Sequence, residues 1–549
     1  MTKPAVDTND DNNDNNGGGI DVTTTTTNTP RSFDDFLDQA YDNGSGSSSV
    51  KYKYWIMILS MGMANSAEAT EILCLSFLLA DPSFDRTMLT GPGAASGLAA
   101  AVFFGMLVGG LVSGMVSDLV GRRRILVWGL WTNAITGLLS ATTQDVWQLS
   151  LLRTVTGLGV GASIPPLFTL AAELSPRTSR GFLVSVVAAF FMVGSIYVAL
   201  VALVLHNTLR GHAYTWRLFC VFCIVPSVTG AILITYSVPE SMRYLALHQR
   251  YQQALEATLA VAAKMNYTGP PLTLEEVLFH YPTNNNNNKG ELSLLDTEAQ
   301  PSSSRDNSNK CVSGVVDFVN QTVLLYQSGM WRTTLPIQLI WTTLCFGSYG
   351  MSTWIYTLFR VVHLHNLYYN ALIFNCANLP ANLLSVLLMD RWGRRNMLLT
   401  SAMTAACTLL VFAAFASLPT PPTLGIVLSA CVYQGFTTVA WNTIDTMTAE
   451  RFPTKIRSTG LGVAAASGRV GAAAAQFVNA ALVSRPAHLL MVASLSFVVT
   501  GCAPFLLPGQ DMALESLADT VGGKTNDDES AEQQQQQDGE PTESTSLVS

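Results

Sequence analysis

Four ionisable side chains stand inside stretches that are otherwise apolar: Glu68 and Glu71 in one, Arg153 in a second and Arg469 in a third. Charges in such surroundings are costly, so they pair with one another or serve a transported proton or ligand. Glu68 and Glu71 are three residues apart and share a helix face. Counted from the outer ends of their runs, Glu71 is about eight residues deep and Arg153 about seven, depths that agree at 1.5 Å of rise per residue. An ion pair between them is expected, either as a static clamp or as part of a coupling mechanism. Glu68 sits deeper, with no partner in its own half of the chain, and burial without a partner favours the protonated form of a carboxyl group. It is the first candidate for a proton-carrying group. Arg469, about eleven residues into its run, reaches the same depth from the other half. Glu68 and Arg469 then either line opposite walls of one cavity or touch directly and hold one state closed.

The elements that must position these residues are membrane spans. Hydrophobic residues make up 49% of the 549 and charged residues 12%, against roughly 25% charged in an ordinary soluble domain. Apolar windows of about 20 residues, the length that crosses about 30 Å of hydrocarbon, recur along the chain. Six precede the polar stretch after Pro239: Trp55 to Leu79, Ala95 to Ser117, Ile125 to Thr142, Val146 to Thr169, Phe182 to Leu205 and Arg217 to Val238. Six follow Arg332: Thr333 to Trp354, Asn370 to Met389, Met397 to Ser417, Leu424 to Thr446, Thr459 to Val483 and Ala487 to Leu507. The expected fold is an all-α polytopic membrane protein with twelve transmembrane helices in two pseudo-symmetric six-helix bundles. Residues 1–50 read as a disordered arm, 51–240 as the first bundle, 241–332 as a linker, 333–508 as the second bundle and 509–549 as a disordered tail. The linker opens with an amphipathic helix and continues through low complexity around Asn284 to Lys310. Composition alone makes these tails and the linker too polar to build a core.

Much of the acid behind the net charge of -8 lies in the tails, which is solvation and gives no reason to expect a nucleic-acid partner. All of the nine cysteines except Cys311 fall inside the spans and act there as small apolar residues. Cys220 and Cys223 form a CxxC without a second ligand pair, so no metal, disulfide framework or cofactor is expected.

One motif occurs twice. GMVSDLVGRRR at Gly114 to Arg124 and VLLMDRWGRR at Val386 to Arg395 each place an acid, a glycine and a basic cluster between two apolar runs. Asp118 and Asp390 can meet arginines and a helix N-terminus, and Gly121 and Gly393 permit the tight turn. Arg122 and Arg123, with Glu173 and Arg180, can form a charge network, as can Arg394 and Arg395 with Glu450 and Arg457. Such pairs are worth about 0 to 1 kcal/mol each, weak enough to break when a gate opens. Lys and Arg are concentrated in the connections after spans two, four, eight and ten. By the positive-inside rule both hinges and both termini are cytoplasmic. Trp55 to Leu79 then directs insertion, there being no cleavable signal pattern ahead of it.

Together these motifs resemble the major facilitator superfamily from about Tyr52 to Pro508. The two DxxGRR hinges match its cytoplasmic motif, Arg153, Gly157 and Gly161 its RxxxGxxxG, and PESMRY at 239–244 the close of helix six. NSAEATEI at 65–72, YLALHQRYQQALEATL, WRTT at Trp331 and FGSYG at Phe346 resemble the synaptic-vesicle-glycoprotein-two-related proteins and the organic cation and anion transporters. The resemblance implies a central cavity lined by helices seven and ten, hence Tyr349, Trp441 and Asn442, with Trp354 an interfacial anchor. It associates arginine at the position of Arg469 with anionic substrates. Asp445 and Glu450, near the cytoplasmic end of helix ten, are expected in the gate.

The reading that follows is a secondary active transporter of a small organic solute, a proton-coupled carboxylate, working as a monomer in a plasma, vesicle or organelle membrane. Proton plus monovalent anion moves no net charge and draws on the pH difference, not on the roughly 2.3 kcal/mol per charge that 100 mV supplies. The alternatives are an organic cation, sugar or drug carrier of the same fold, and a non-transporting receptor or vesicle scaffold. No phosphate-cradling loop or nucleophile with a base at usable spacing is present, so the chain is not expected to be an enzyme.

Overall fold

In the computed structural model the described residues are 31–43, 52–89, 91, 93–209, 214–281, 319–327, 329–453 and 456–508, without the side chains of Val386, Met389, Asp390, Arg457 and Ser458. Cys311, most of the low-complexity linker and the tail after Pro508 lie outside them. The described chain is helical: α1 (Phe33–Asn43), α2 (Tyr52–Ala80), α3 (Pro82–Met88), α4 (Ala94–Val120), α5 (Arg122–Ser140), α6 (Val146–Glu173) and α7 (Arg180–Thr208). Next come α8 (Thr215–Cys223), α9 (Val225–Ser237), α10 (Met242–Leu247), α11 (Tyr251–Lys264) and α12 (Leu274–His280). The second half contains α13 (Trp331–Val361), α14 (Leu367–Cys376), α15 (Asn378–Trp392), α16 (Arg394–Ala416), α17 (Thr423–Arg451), α18 (Arg457–Leu482) and α19 (Pro486–Cys502).

The chain crosses the membrane twelve times, but the crossings are chemically unequal. Among the described residues, eight helices are long and apolar enough to span by themselves. The others, α2, α5, α13 and the α14–α15 pair, carry more polar residues, and for α2 and α13 the reason is burial in protein. Every residue of α2 from Ala64 to Ala80 is buried, as is nearly all of α13 from Gly347 to Phe359. Their side chains meet other helices rather than lipid, so hydropathy no longer constrains them. Three crossings that read as single helices are broken. The sixth divides between α8 and α9 just before Pro226, the eighth at Ala377 before Pro380, and the twelfth passes from α19 into a 3-10 turn, Ala503–Leu506, around Pro504. Proline lacks the backbone donor that an uninterrupted helix needs.

Within the first half, α4 lies so close to α6 that a Cβ on Gly157 or Gly161 would run into the backbone carbonyls of Val102 and Met106. Small residues four apart are what allow two backbones in a membrane to approach in this way. The halves meet where α2 packs on α13, α4 on α18 and α7 on α14. On the face opposite the hinges, Phe77 stacks on Tyr356 with centroids 4.2 Å apart, and Arg360 donates to Asp85 at 3.3 Å and to the Ala80 carbonyl. These contacts seal that face.

The first fifty residues depart from the disordered arm expected of them. FDDFLDQAYDN forms α1, and Phe36, Leu37 and Ala40 are fully buried against the hinge-face core that includes Tyr54, Met265 and Leu272. Apolar residues at i, i+3, i+4 and i+7 make one face of a short helix, a pattern that the surrounding Asn, Asp and Thr tracts conceal. The segment after the sixth crossing is two helices, α10 and α11, and α12 carries a capping box between Thr273 and Glu276.

The glycine contacts predict that Gly157→Leu will sharply lower the yield of folded protein in size-exclusion chromatography, overpacking costing about 1–3 kcal/mol or more. Gly97→Ala, where open space surrounds the added carbon, is expected to leave the elution profile unchanged.

Candidate functional site

At the centre Glu68 of α2 and Arg469 of α18 meet: Arg469 Nη2 donates to Glu68 Oε1 at 2.7 Å. Both are largely buried, with side chains 14% (Arg469) and 10% (Glu68) exposed, so the pair bridges the two halves out of bulk water. The guanidinium also lies 5.0 Å above the ring of Tyr349, a cation–π contact strengthened by the dry surroundings. Tyr349 in turn contacts Trp441 at 5.3 Å and Phe103 at 5.6 Å, and Trp441 meets Trp341 edge-on. Indole donors are fixed by Ser348 and Thr448. Arg469 Nη1 is buried and has no hydrogen-bond partner among the described residues. A buried donor without an acceptor is an expensive arrangement that a ligand carboxylate can relieve.

Toward the sealed face Arg153 Nη1 donates to Glu71 Oε1 at 2.5 Å, with both residues buried. Arg153 Nη2 donates to Cys220 Sγ at 3.3 Å and to Cys74 Sγ at 3.6 Å. One half of the CxxC therefore serves as a sulfur acceptor for the arginine that holds α2 to α6.

A polar ladder runs along α15 and α17. Asn378 Oδ1 accepts from Thr438 Oγ1 at 2.6 Å and from Gln434 Nε2 at 3.1 Å, and Asn442 Nδ2 donates to Asn382 Oδ1 at 3.0 Å. Asn382 also reaches Met192 of α7, across the halves. One turn beyond Trp441, Asp445 is exposed and makes no hydrogen bond or ion pair among the described residues, although it lies within electrostatic reach of Glu68. Trp354, expected as an interfacial anchor, is instead buried, its indole donating to Gln476 Oε1 at 2.9 Å. Hydropathy places it near a span end; α13 continues seven residues further, to Val361.

The two hinges have corresponding ion pairs. Arg122 pairs with Glu173, and Arg394 pairs with Glu450 at 3.0 Å. Asp118 is mostly exposed and only 3.5 Å from Arg122. Arg123 donates its backbone N–H to Glu240 and a guanidinium N–H to the Thr235 carbonyl, while Arg395 donates to the Leu507 carbonyl. Gly121 has φ +112° and Gly393 φ +75°, and a Cβ on Gly121 would strike the Glu240 carboxylate. Arg180 does not join Glu173. Its guanidinium turns to Asp34 of α1 at 2.9 Å, and Ser241 takes the place beside Glu173 that spacing assigns to it. The side chains of Asp390 and Arg457 lie outside the described set.

Asn378, Asn382, Gln434 and Thr438 are site residues that sequence reasoning misses. Their signal is nonetheless present: Gln434, Thr438, Trp441, Asn442 and Asp445 recur at helical spacing, one polar stripe in an apolar run. Asp34 and Ser241 give no such signal, because their partners are distant in sequence.

A sequence profile of the Major Facilitator Superfamily matches residues 54–476 and 369–522. Synaptic vesicle glycoprotein 2C of Rattus norvegicus is 25% identical over 595 aligned residues, covering 83% of this chain and 78% of the relative. Organic cation/carnitine transporter 7 of Arabidopsis thaliana is 28% identical over 465, covering 78% and 86%. Among solved structures, the inward open conformation of the xylose transporter XylE from E. coli superposes with a TM-score of 0.60 at 19% identity, over 87% of this chain and 99% of that one.

Arg153→Ala leaves Glu71 buried and unpaired and should cost about 3–5 kcal/mol, whereas Arg153→Leu with Glu71→Ala together should cost less than either single change; a thermal-unfolding double-mutant cycle reads the difference. Glu173→Gln should destabilise the first hinge more than Asp118→Asn, because the Asp118 contact is long and solvent-screened; the same melts compare the two.

Proposed function

The chain belongs to the Major Facilitator Superfamily, as an integral membrane transporter of small solutes working by alternating access, and we propose that its solute is a small organic carboxylate carried with a proton. The observation that carries this reading is Arg469. It holds Glu68 with one guanidinium nitrogen and has a second, buried one without an acceptor. A substrate carboxylate arriving there competes with Glu68 for the same cation. Displaced while still ionised, Glu68 would be a buried charge without a partner, which costs about 3–5 kcal/mol. A proton on Glu68 removes that penalty, so substrate and proton enter together. Tyr349, Trp441 and Trp341 supply an apolar wall for the carbon skeleton, and Asn442 with Asn382 supplies amide contacts, the mixture that suits a small ligand.

Alternating access requires the halves to part on one face while sealed on the other. In the state described, the face opposite the hinges is closed by Phe77, Tyr356, Arg360 and Asp85. The two hinges, with Arg122–Glu173 and Arg394–Glu450, are read as the gate on the other face. That face is read as cytoplasmic from its arginines, and the transporter as a monomer. Exposed Asp445, together with the likeness to an organic cation/carnitine transporter, favours an organic cation as the second reading.

A thermal-shift screen of purified protein against small organic acids, amines and sugars identifies the class, and uptake of the best ligand into proteoliposomes tests the mechanism. Glu68→Gln should abolish the pH dependence of uptake and leave counterflow intact; unchanged pH dependence removes Glu68 from coupling. Arg469→Ala should weaken acid binding about ten- to a hundred-fold, the range of lost charge-assisted hydrogen bonds. Undiminished binding, or a screen answered by amines, turns the reading to cations.

A further inference from the structure

The most densely bonded charged cluster outside the central site surrounds Asp34. Arg243 Nη2, Arg180 Nη2 and Arg177 Nε approach its carboxylate at 2.5, 2.9 and 3.0 Å. These arginines come from different places: Arg177 from the α6–α7 connection, Arg180 from the first turn of α7, and Arg243 from α10. Burial raises the Asp34 carboxyl, but the arginines outweigh it and hold the group below the ordinary aspartate range. Around this point α1 is fastened along its length. Arg31 donates to both Glu276 oxygens and to the Pro270 and Pro271 carbonyls. Phe36 packs edge-on against Tyr267, and Asp38 accepts from the Thr178 backbone.

We propose that Arg177, Arg180 and Arg243 form a recognition site for an acidic amphipathic helix, that α1 is its resident ligand, and that the docked helix latches the first hinge. The link to the hinge is Arg180. It lies seven residues after Glu173, at the far end of the same short connection, so it is the natural competitor of Arg122 for that carboxylate. With Asp34 in place Arg180 is turned away, and Glu173 is left to Arg122 and Ser241. Loss of Asp34 returns Arg180 to the competition and loosens the hold of Arg122. The partners of Arg31, Asp34, Phe36 and Asp38 all precede the second half of the chain, so through them the helix acts on the hinge without tying the halves together. Only the chain's membership of the family is presupposed; neither solute nor proton coupling enters.

The test is hydrogen–deuterium exchange of the full-length purified protein at neutral pH without solute, comparing wild type with Asp34→Asn and with Arg243→Gln, which removes a latch arginine remote from the hinge pair. Both variants should exchange residues 36–43 at least about ten-fold faster, and the hinge amides at 118–125 about three-fold faster, with no change around Phe77 and Tyr356. Unchanged protection of 36–43 overturns the recognition site. An undocked helix with an unaltered hinge overturns the latch. Global loss of protection in Asp34→Asn hands the decision to Arg243→Gln, where the same two outcomes apply.

Discussion

The structure depends on one buried ion pair that joins two bodies meant to separate. Glu68 and Arg469 come from the two halves, meet out of bulk water and are backed by the Tyr349 ring. In such a place neither charge is tolerable alone. The pair is therefore both a fastening and a constraint: whatever parts it must supply an opposite charge to one member or remove the charge of the other. Glu71–Arg153 has the same chemistry but lies within one half, where no separation is demanded of it, and its cysteine contacts add a fixed environment. Position relative to the dividing plane, more than residue type, distinguishes a coupling pair from a clamp.

The hinges are arranged on the opposite principle. Their ion pairs are nearer water, individually weak and duplicated, so each can be exchanged among several partners at small cost. Glu173 has Arg122 and Ser241 beside it, and Arg180 has Asp34. A face that opens and closes is better served by many interchangeable contacts than by one strong one.

Much of this is legible in the sequence, and the gaps have physical causes. Apolar windows of span length locate the crossings to within a few residues, because lipid enforces composition over about 20 positions at once. The breaks at Ile224 and Ala377 escape, since proline in a buried span can kink a helix or end it, and neighbours decide which. Depth counting brings Glu71 level with Arg153 and Glu68 level with Arg469, but it cannot choose between contact and cavity for the second pair. Composition hides α1: its apolar face occupies only a few positions, and its partners are more than a hundred residues away. The Glu173–Arg180 pairing suggested by spacing gives way for the same reason, Asp34 being a competitor that no local pattern reveals.

The divided eighth crossing has a mechanical consequence. A continuous helix is a rigid rod that carries a tilt at one end to the other. Here α14 holds the Tyr356 hydroxyl through Asn375 at 2.6 Å, while α15 carries Asn378 and Asn382 into the ladder with α17. Between them, at Ala377, the rod is cut. Two short levers with a common fulcrum can turn by different angles, so the outer seal can relax before the inner ladder shifts. The order of events in a cycle is thus partly written in where one helix stops.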